Sequence, residues 1–194
     1  MLVFCHHQEL KNNMASIEIF TLNPVDFAAT GFVGEPGQRE FYIQGTKSEI
    51  TMSVLIEKQQ LEQIANEAIR FLNILSQDLG DEIIATPKNF DDAELKQPVV
   101  SIFRARTISL VFDESTQLLT LVLRESDIDT DNQYNTEIDS SVNYSVIEET
   151  MVEDRVLRLT MTRTQLRALA VKGHLAIGMG REICQLCFLP KDPI

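Results

Sequence analysis

The sequence has no uninterrupted apolar run of the roughly 18 to 20 residues that a membrane-spanning helix needs, which excludes that class of span. Near its start, acids, amides and histidines occupy the place where a signal peptide would carry its apolar core, so a cytoplasmic protein is expected. Positive charge is scarce. The formal net charge is -12, with no local basic patch to offset it, and this opposes binding to nucleic acid or to an anionic membrane surface. Three cysteines are too few for a disulfide framework. No GxSxG, P-loop or HExxH string occurs, so the commonest hydrolase, nucleotide-binding and zinc-protease signatures are missing as well.

What remains is an acidic chain of 194 residues with 44% hydrophobic content, long enough for a sizeable core and short enough for one domain. Residues 1–13 show no period and read as a disordered extension, with Met14 as an alternative start. Alternation over Ile17 to Leu22 predicts a strand that ends at Asn23-Pro24. Two more strands are expected from Phe27 to Val33 and from Arg39 to Gly45, and a third from Ile50 to Ile56. At Glu57 the period changes from two to about 3.6. Leu61, Ile64, Ala65, Ala68, Phe71, Leu72 and Leu75 then form the apolar stripe of a helix ending near Leu79-Gly80.

The second half repeats this grammar. Ser101 to Asp113 and Gln117 to Arg124 read as a hairpin, and Arg155 to Met161 as a strand. Thr162 and Gln165 form a capping box that opens a second helix with the stripe Leu166, Leu169, Ala170, Gly173 and Ile177. The two helix starts align, Ile56 to Ala65 against Met161 to Ala170, which fits either a duplicated strand-meander-plus-helix unit or two independent strand-to-helix junctions. The expected fold is α+β, a mainly antiparallel sheet with two principal helices. It is expected over 14–180 as a single domain, with a C-terminal CxxC tail over 181–194. Between Arg124 and Arg155 no basic residue interrupts ten acids, and an acidic loop is expected over 125–154.

Between the second and third strands lies Gly34-Glu35-Pro36-Gly37-Gln38-Arg39. Pro36 fixes φ for the second turn position and Gly37 takes the positive φ that a type II turn needs next, so the chain reverses here. Gly34 and Gly37 also let backbone amides face a small anion, with Arg39 as a bidentate charged donor. The plainer reading is a hairpin turn whose arginine pairs with Glu40 or Glu57. Further on, Glu57-Lys58-Gln59-Gln60 places charge and amides at a helix N-terminus, where the dipole favours anions.

These two strings, GEPGQR and EKQQ, together with the C-terminal CxxC, resemble an uncharacterised bacterial family, the domain of unknown function 3090. The resemblance gives weight to Gly34, Glu35, Gly37, Gln38, Arg39, Glu57, Lys58 and Gln60 as ligand-binding residues. Arg104, within Phe103-Arg104-Ala105-Arg106-Thr107, is a secondary candidate, since Arg106 stands where the family has glycine. It also implies a zinc-ribbon-like knuckle at the C-terminus. Here only Cys184 and Cys187 of that knuckle are present, half of a four-ligand zinc site. No cofactor is therefore expected, and zinc only if Cys5 with His6 or His7, or a second chain, completed the set. Asp127, Asp129 and Asp131 begin like a calcium loop, but Asn132 and Ile138 break the pattern. His174 has no nucleophile at helical spacing. The sequence thus points to a non-catalytic binding or accessory protein for a small anionic, phosphorylated ligand or a protein partner. Its alternative is an enzyme acting on a phosphorylated metabolite, with Arg39 and Lys58 as clamp and Glu35 or Glu57 as base. Oligomeric state is not legible.

Overall fold

The architecture follows from alternating apolar strands that cannot bury both faces alone. The computed structural model describes residues 17–79, 94–126 and 154–179. The N-terminal extension, the CxxC and most of the acidic loop lie outside the described residues. Eight strands and two helices follow in the order β1 (Ile17–Leu22), β2 (Phe27–Val33), β3 (Glu40–Lys47), β4 (Ile50–Ile56), α1 (Lys58–Leu79), β5 (Ser101–Arg104), β6 (Thr107–Asp113), β7 (Leu118–Arg124), β8 (Asp154–Met161) and α2 (Arg163–Gly178). They form two four-stranded sheets, ordered β1-β8-β7-β6 and β2-β3-β4-β5, an α+β fold whose pairings are antiparallel except β1 with β8 and β4 with β5.

Both sheets repeat one plan. β2-β3-β4 and β6-β7-β8 are antiparallel meanders, each running into a helix. A fourth strand lies parallel to the last meander strand in each sheet. In the first unit that strand, β5, follows the helix. In the second it is β1, contributed by the start of the chain.

The expected single strand from Ser101 to Asp113 is two strands in different sheets. The Ala105 N–H donates to the Leu55 carbonyl at 2.8 Å and the Arg106 N–H to the Arg124 carbonyl at 2.8 Å, so the chain leaves one sheet and enters the other between adjacent residues. The same exchange occurs between β1 and β2. Val25 N–H donates to Thr160 (2.8 Å) and Asp26 N–H to Thr46 (2.9 Å). Between β5 and β6 the covered side changes phase at the switch, from Phe103 and Ala105 at odd positions to Ile108, Leu110 and Phe112 at even ones, because a one-residue shift in a period-two pattern turns the other face of the strand inward.

One apolar core joins the layers. Ile43 and Val54 from one sheet, Leu121 and Leu159 from the other, and Leu61 and Leu166 from the helices are all essentially inaccessible to solvent. The two sheets approach closely at Gly45: a Cβ there would stand 2.4 Å from Leu159 Cδ2. Leu95 and Lys96 lie over part of the β2-β3-β4-β5 sheet, beside Gly31 and Gln44. Buried Gln44 donates to the Lys96 carbonyl (3.2 Å) and accepts from its N–H (2.7 Å), which satisfies a polar side chain that would be costly to bury alone.

The acidic stretch is anchored at both ends rather than solvated throughout. Asp154 opens β8 and is buried against Arg124 at 3.4 Å, while Glu125 takes a bidentate pair of bonds from Arg155 at 2.7 Å each. That pairing holds the Glu125 carboxyl below its ordinary pKa.

Candidate functional site

The turn between β2 and β3 forms as its residue types dictate. The Gln38 N–H donates to the Glu35 carbonyl at 2.9 Å, Pro36 lies inside the turn, and Gly37 has φ +97. Gly34 has φ +102, and a Cβ there would meet the Gln38 carbonyl oxygen at 2.7 Å, so only glycine fits. Glu35 and Gln38 are exposed.

The register then brings the two candidate strings to one end of the sheet. β3 and β4 pair Phe41 with Ile56, and the chain beyond that pair leads to Arg39 on one side and to Glu57 and Lys58 on the other. Lys58 is exposed and its ammonium has no partner among the described residues.

Arg39 pairs with neither Glu40 nor Glu57. Its guanidinium stacks 3.9 Å above the centre of the Phe32 ring and donates through Nη1 to the Met179 carbonyl, at the C-terminal cap of α2. The contact with the ring and the negative end of the helix dipole both favour the cation. Its Nε is buried and has no hydrogen-bond partner among the described residues.

Glu57 instead forms an ion pair with Arg104, with both side chains more than half exposed. The Tyr42 hydroxyl donates to Glu40 at 2.8 Å. Burial pushes the Tyr42 pKa up, and the Glu40 carboxylate adds to the shift while Arg104 opposes it.

Gln60 holds the junction. Its Oε1 accepts from the Glu57 N–H at 2.8 Å, and its Nε2 donates to the carbonyls of Ala105 (3.3 Å) and Arg106 (2.9 Å). Gln165 does the same in the other unit, accepting from Thr162 N–H (2.9 Å) and donating to Val25 (3.2 Å) and Asp26 (3.3 Å). Each glutamine caps its helix and clasps the point where the chain changes sheets.

Arg104, Glu57 and Gln60 are therefore adjacent, whereas Arg39 reaches away to the end of α2. Phe32, Met179, Glu40 and Tyr42 complete the surroundings and were not legible in the sequence, although strand pairing of Phe32 with Phe41 would have set that ring beside the residues following the turn. His174 is a partly buried residue of α2. Among the described residues no group of three or more His, Cys, Asp or Glu side chains could hold a metal ion. Cys184 and Cys187 lie outside them. No helix among the described residues is long and apolar enough to cross a membrane.

These features define an α+β protein of two equivalent meander-and-helix units that exchange their fourth strands. The sequence profile of a family described as "Protein of unknown function (DUF3090)" matches residues 20–194, and the chain belongs to that family. No curated protein and no solved structure matches the chain.

Proposed function

We propose that the protein is a non-catalytic binding protein that recognises a small phosphorylated anion at the strand end where the Glu35–Arg39 turn meets the start of α1. The observation that carries this reading is the β3–β4 register, which leads Arg39 and Lys58 to one end of the sheet beside a helix N-terminus. Lys58 supplies an exposed cation without a partner among the described residues, and Arg39, whose guanidinium stacks on Phe32 and donates through Nη1 to the Met179 carbonyl, adds positive charge to that end of the sheet. The Glu57 carboxylate faces Arg104 rather than an open pocket, which favours binding over proton transfer by that group.

Thermal unfolding with inorganic phosphate and with a panel of phosphorylated metabolites tests the proposal. A ligand at about 100 times its Kd stabilises the native state by about 2.7 kcal/mol, a shift of several degrees in Tm. Lys58→Ala is expected to leave the ligand-free Tm unchanged and to abolish the ligand-induced rise. Arg39→Ala is expected to abolish the rise and also to lower the ligand-free Tm, because it uncaps α2. An equal rise in wild type and Lys58→Ala, or none in wild type, ends the proposal.

A further inference from the structure

Each helix faces the opening strand of the other unit's meander, and the two helices differ in how they meet its first residue. α2, from the second unit, lies against β2 of the first, and Phe27 packs on Ala168 of that helix, as does Val171. Phe27 pairs with Thr46 and follows Asp26, whose N–H donates to the Thr46 carbonyl. In the other unit Thr107 pairs with Arg124 and follows Arg106, whose N–H donates to the Arg124 carbonyl. Thr107 thus occupies the place of Phe27. The equivalent glutamines, Gln165 and Gln60, set the matching helix position: Ala168 in α2 corresponds to Gln63 in α1.

Threonine lacks the ring that fills this space in the first unit. A cleft of about 610 Å³ lies there between α1 and β6, with Ile64, Leu110, Leu121 and Leu166 among the apolar residues that line it and Gln63 and Thr107 among the polar ones. That volume falls within the range of small-molecule sites, which combine an apolar lining with a few polar groups. The Gln63 side-chain amide offers one acceptor and two donors and makes no hydrogen bond among the described residues.

We propose that this cleft binds a planar aromatic or heteroaromatic ring of a small ligand, seated where the Phe27 ring sits in the equivalent unit, with a polar ring edge hydrogen-bonded to Gln63. Aliphatic side chains supply dispersion and desolvation across the ring faces. The site does not depend on the anion-binding surface proposed above.

The test uses the full chain with benzamide, indole and adenine as probes, followed by ligand-observed NMR and titration. At least one probe binds wild type. Thr107→Phe, which restores the missing ring, is expected to weaken that binding at least tenfold. Thr107→Ala, which removes the same hydroxyl without filling the cleft, is expected to retain it. Gln63→Phe, a substitution at an exposed helix position, fills the cleft from the other wall and is expected to give the same loss without touching β6. Lys58→Ala is expected to leave probe binding unchanged, which separates this site from the phosphate surface. Failure of all three probes to bind wild type overturns the proposal, as does undiminished binding in both Thr107→Phe and Gln63→Phe.

Discussion

Replacing Gln60 by alanine removes three hydrogen bonds, the cap to the Glu57 N–H at 2.8 Å and the two bonds to the carbonyls of Ala105 and Arg106. Loss of a helix cap costs about 1 kcal/mol, and each neutral hydrogen bond contributes a net 0.5 to 1.5 kcal/mol or so. Gln60 is half-buried, so water recovers part of the two carbonyl bonds, and the expected total is about 2 kcal/mol. Gln165→Ala removes the equivalent set and should cost a similar amount. The double variant should be close to additive if the two junctions act independently. Gln60→Glu keeps the capping acceptor but has no amide donors and turns a carboxylate towards two carbonyl oxygens, so it should be no more stable than Gln60→Ala. Urea denaturation monitored by circular dichroism reads all four variants, with the shift in midpoint converted through an unchanged m-value. A cost below about 0.5 kcal/mol for both single variants would refute the claim that the glutamines hold the sheet exchanges, since surface substitutions away from such features commonly fall within that range.

Gly45→Ala is expected to destabilise by about 1 to 3 kcal/mol through overpacking, because the added methyl meets Leu159 Cδ2 at 2.4 Å in a closed core. Combining it with Leu159→Ala should cost less than the sum of the two single changes, and chemical denaturation of the four proteins measures that coupling. Acid should weaken the fold through two carboxyls whose pKa values are lowered in the folded state. Asp113 accepts bonds from the Ser115 and Thr116 side chains and the Ser115 N–H, which lower its pKa from 3.8 to about 2. Glu125 is lowered by the hydrogen bonds from Arg155. Both carboxyls bind protons less readily folded than unfolded, so their stabilisation is present above the unfolded values and is lost as pH falls through the folded ones. In Asp113→Asn the part of the acid dependence between about pH 4 and pH 2 should shrink, and in Glu125→Gln the loss should begin from a lower neutral-pH stability. Unfolding midpoints measured from pH 6 down to pH 2 check both, and an acid profile unchanged in Asp113→Asn would contradict the assignment.

Local chemistry carried much of this fold. The helix starts at Lys58 and Arg163, the capping box of Thr162 and Gln165, and the turn at Pro36-Gly37 rest on contacts within a few residues, and a sequence displays such contacts directly. The alternation that marks β2 to β4 likewise needs only a covered and an open side. Alternation does not say which strand lies next door, so the division of Ser101 to Asp113 between two sheets and the pairing of β1 with β8 were not legible.

The site divides in the same way. The sequence singled out Arg39, Glu57, Lys58 and Gln60 as chemically richer than a turn and a helix start require. Tertiary structure chose their partners: Arg39 took the ring of Phe32 and the carbonyl of Met179, 140 residues away, and Glu57 took Arg104. The cleft beside α1 is a tertiary property as well, for it exists through a comparison between units, with threonine standing in one where phenylalanine stands in the other. Short-range periodicity and capping fix what each segment becomes, because their energies depend on near neighbours. Which segments meet is decided by the single packing that buries every apolar face together.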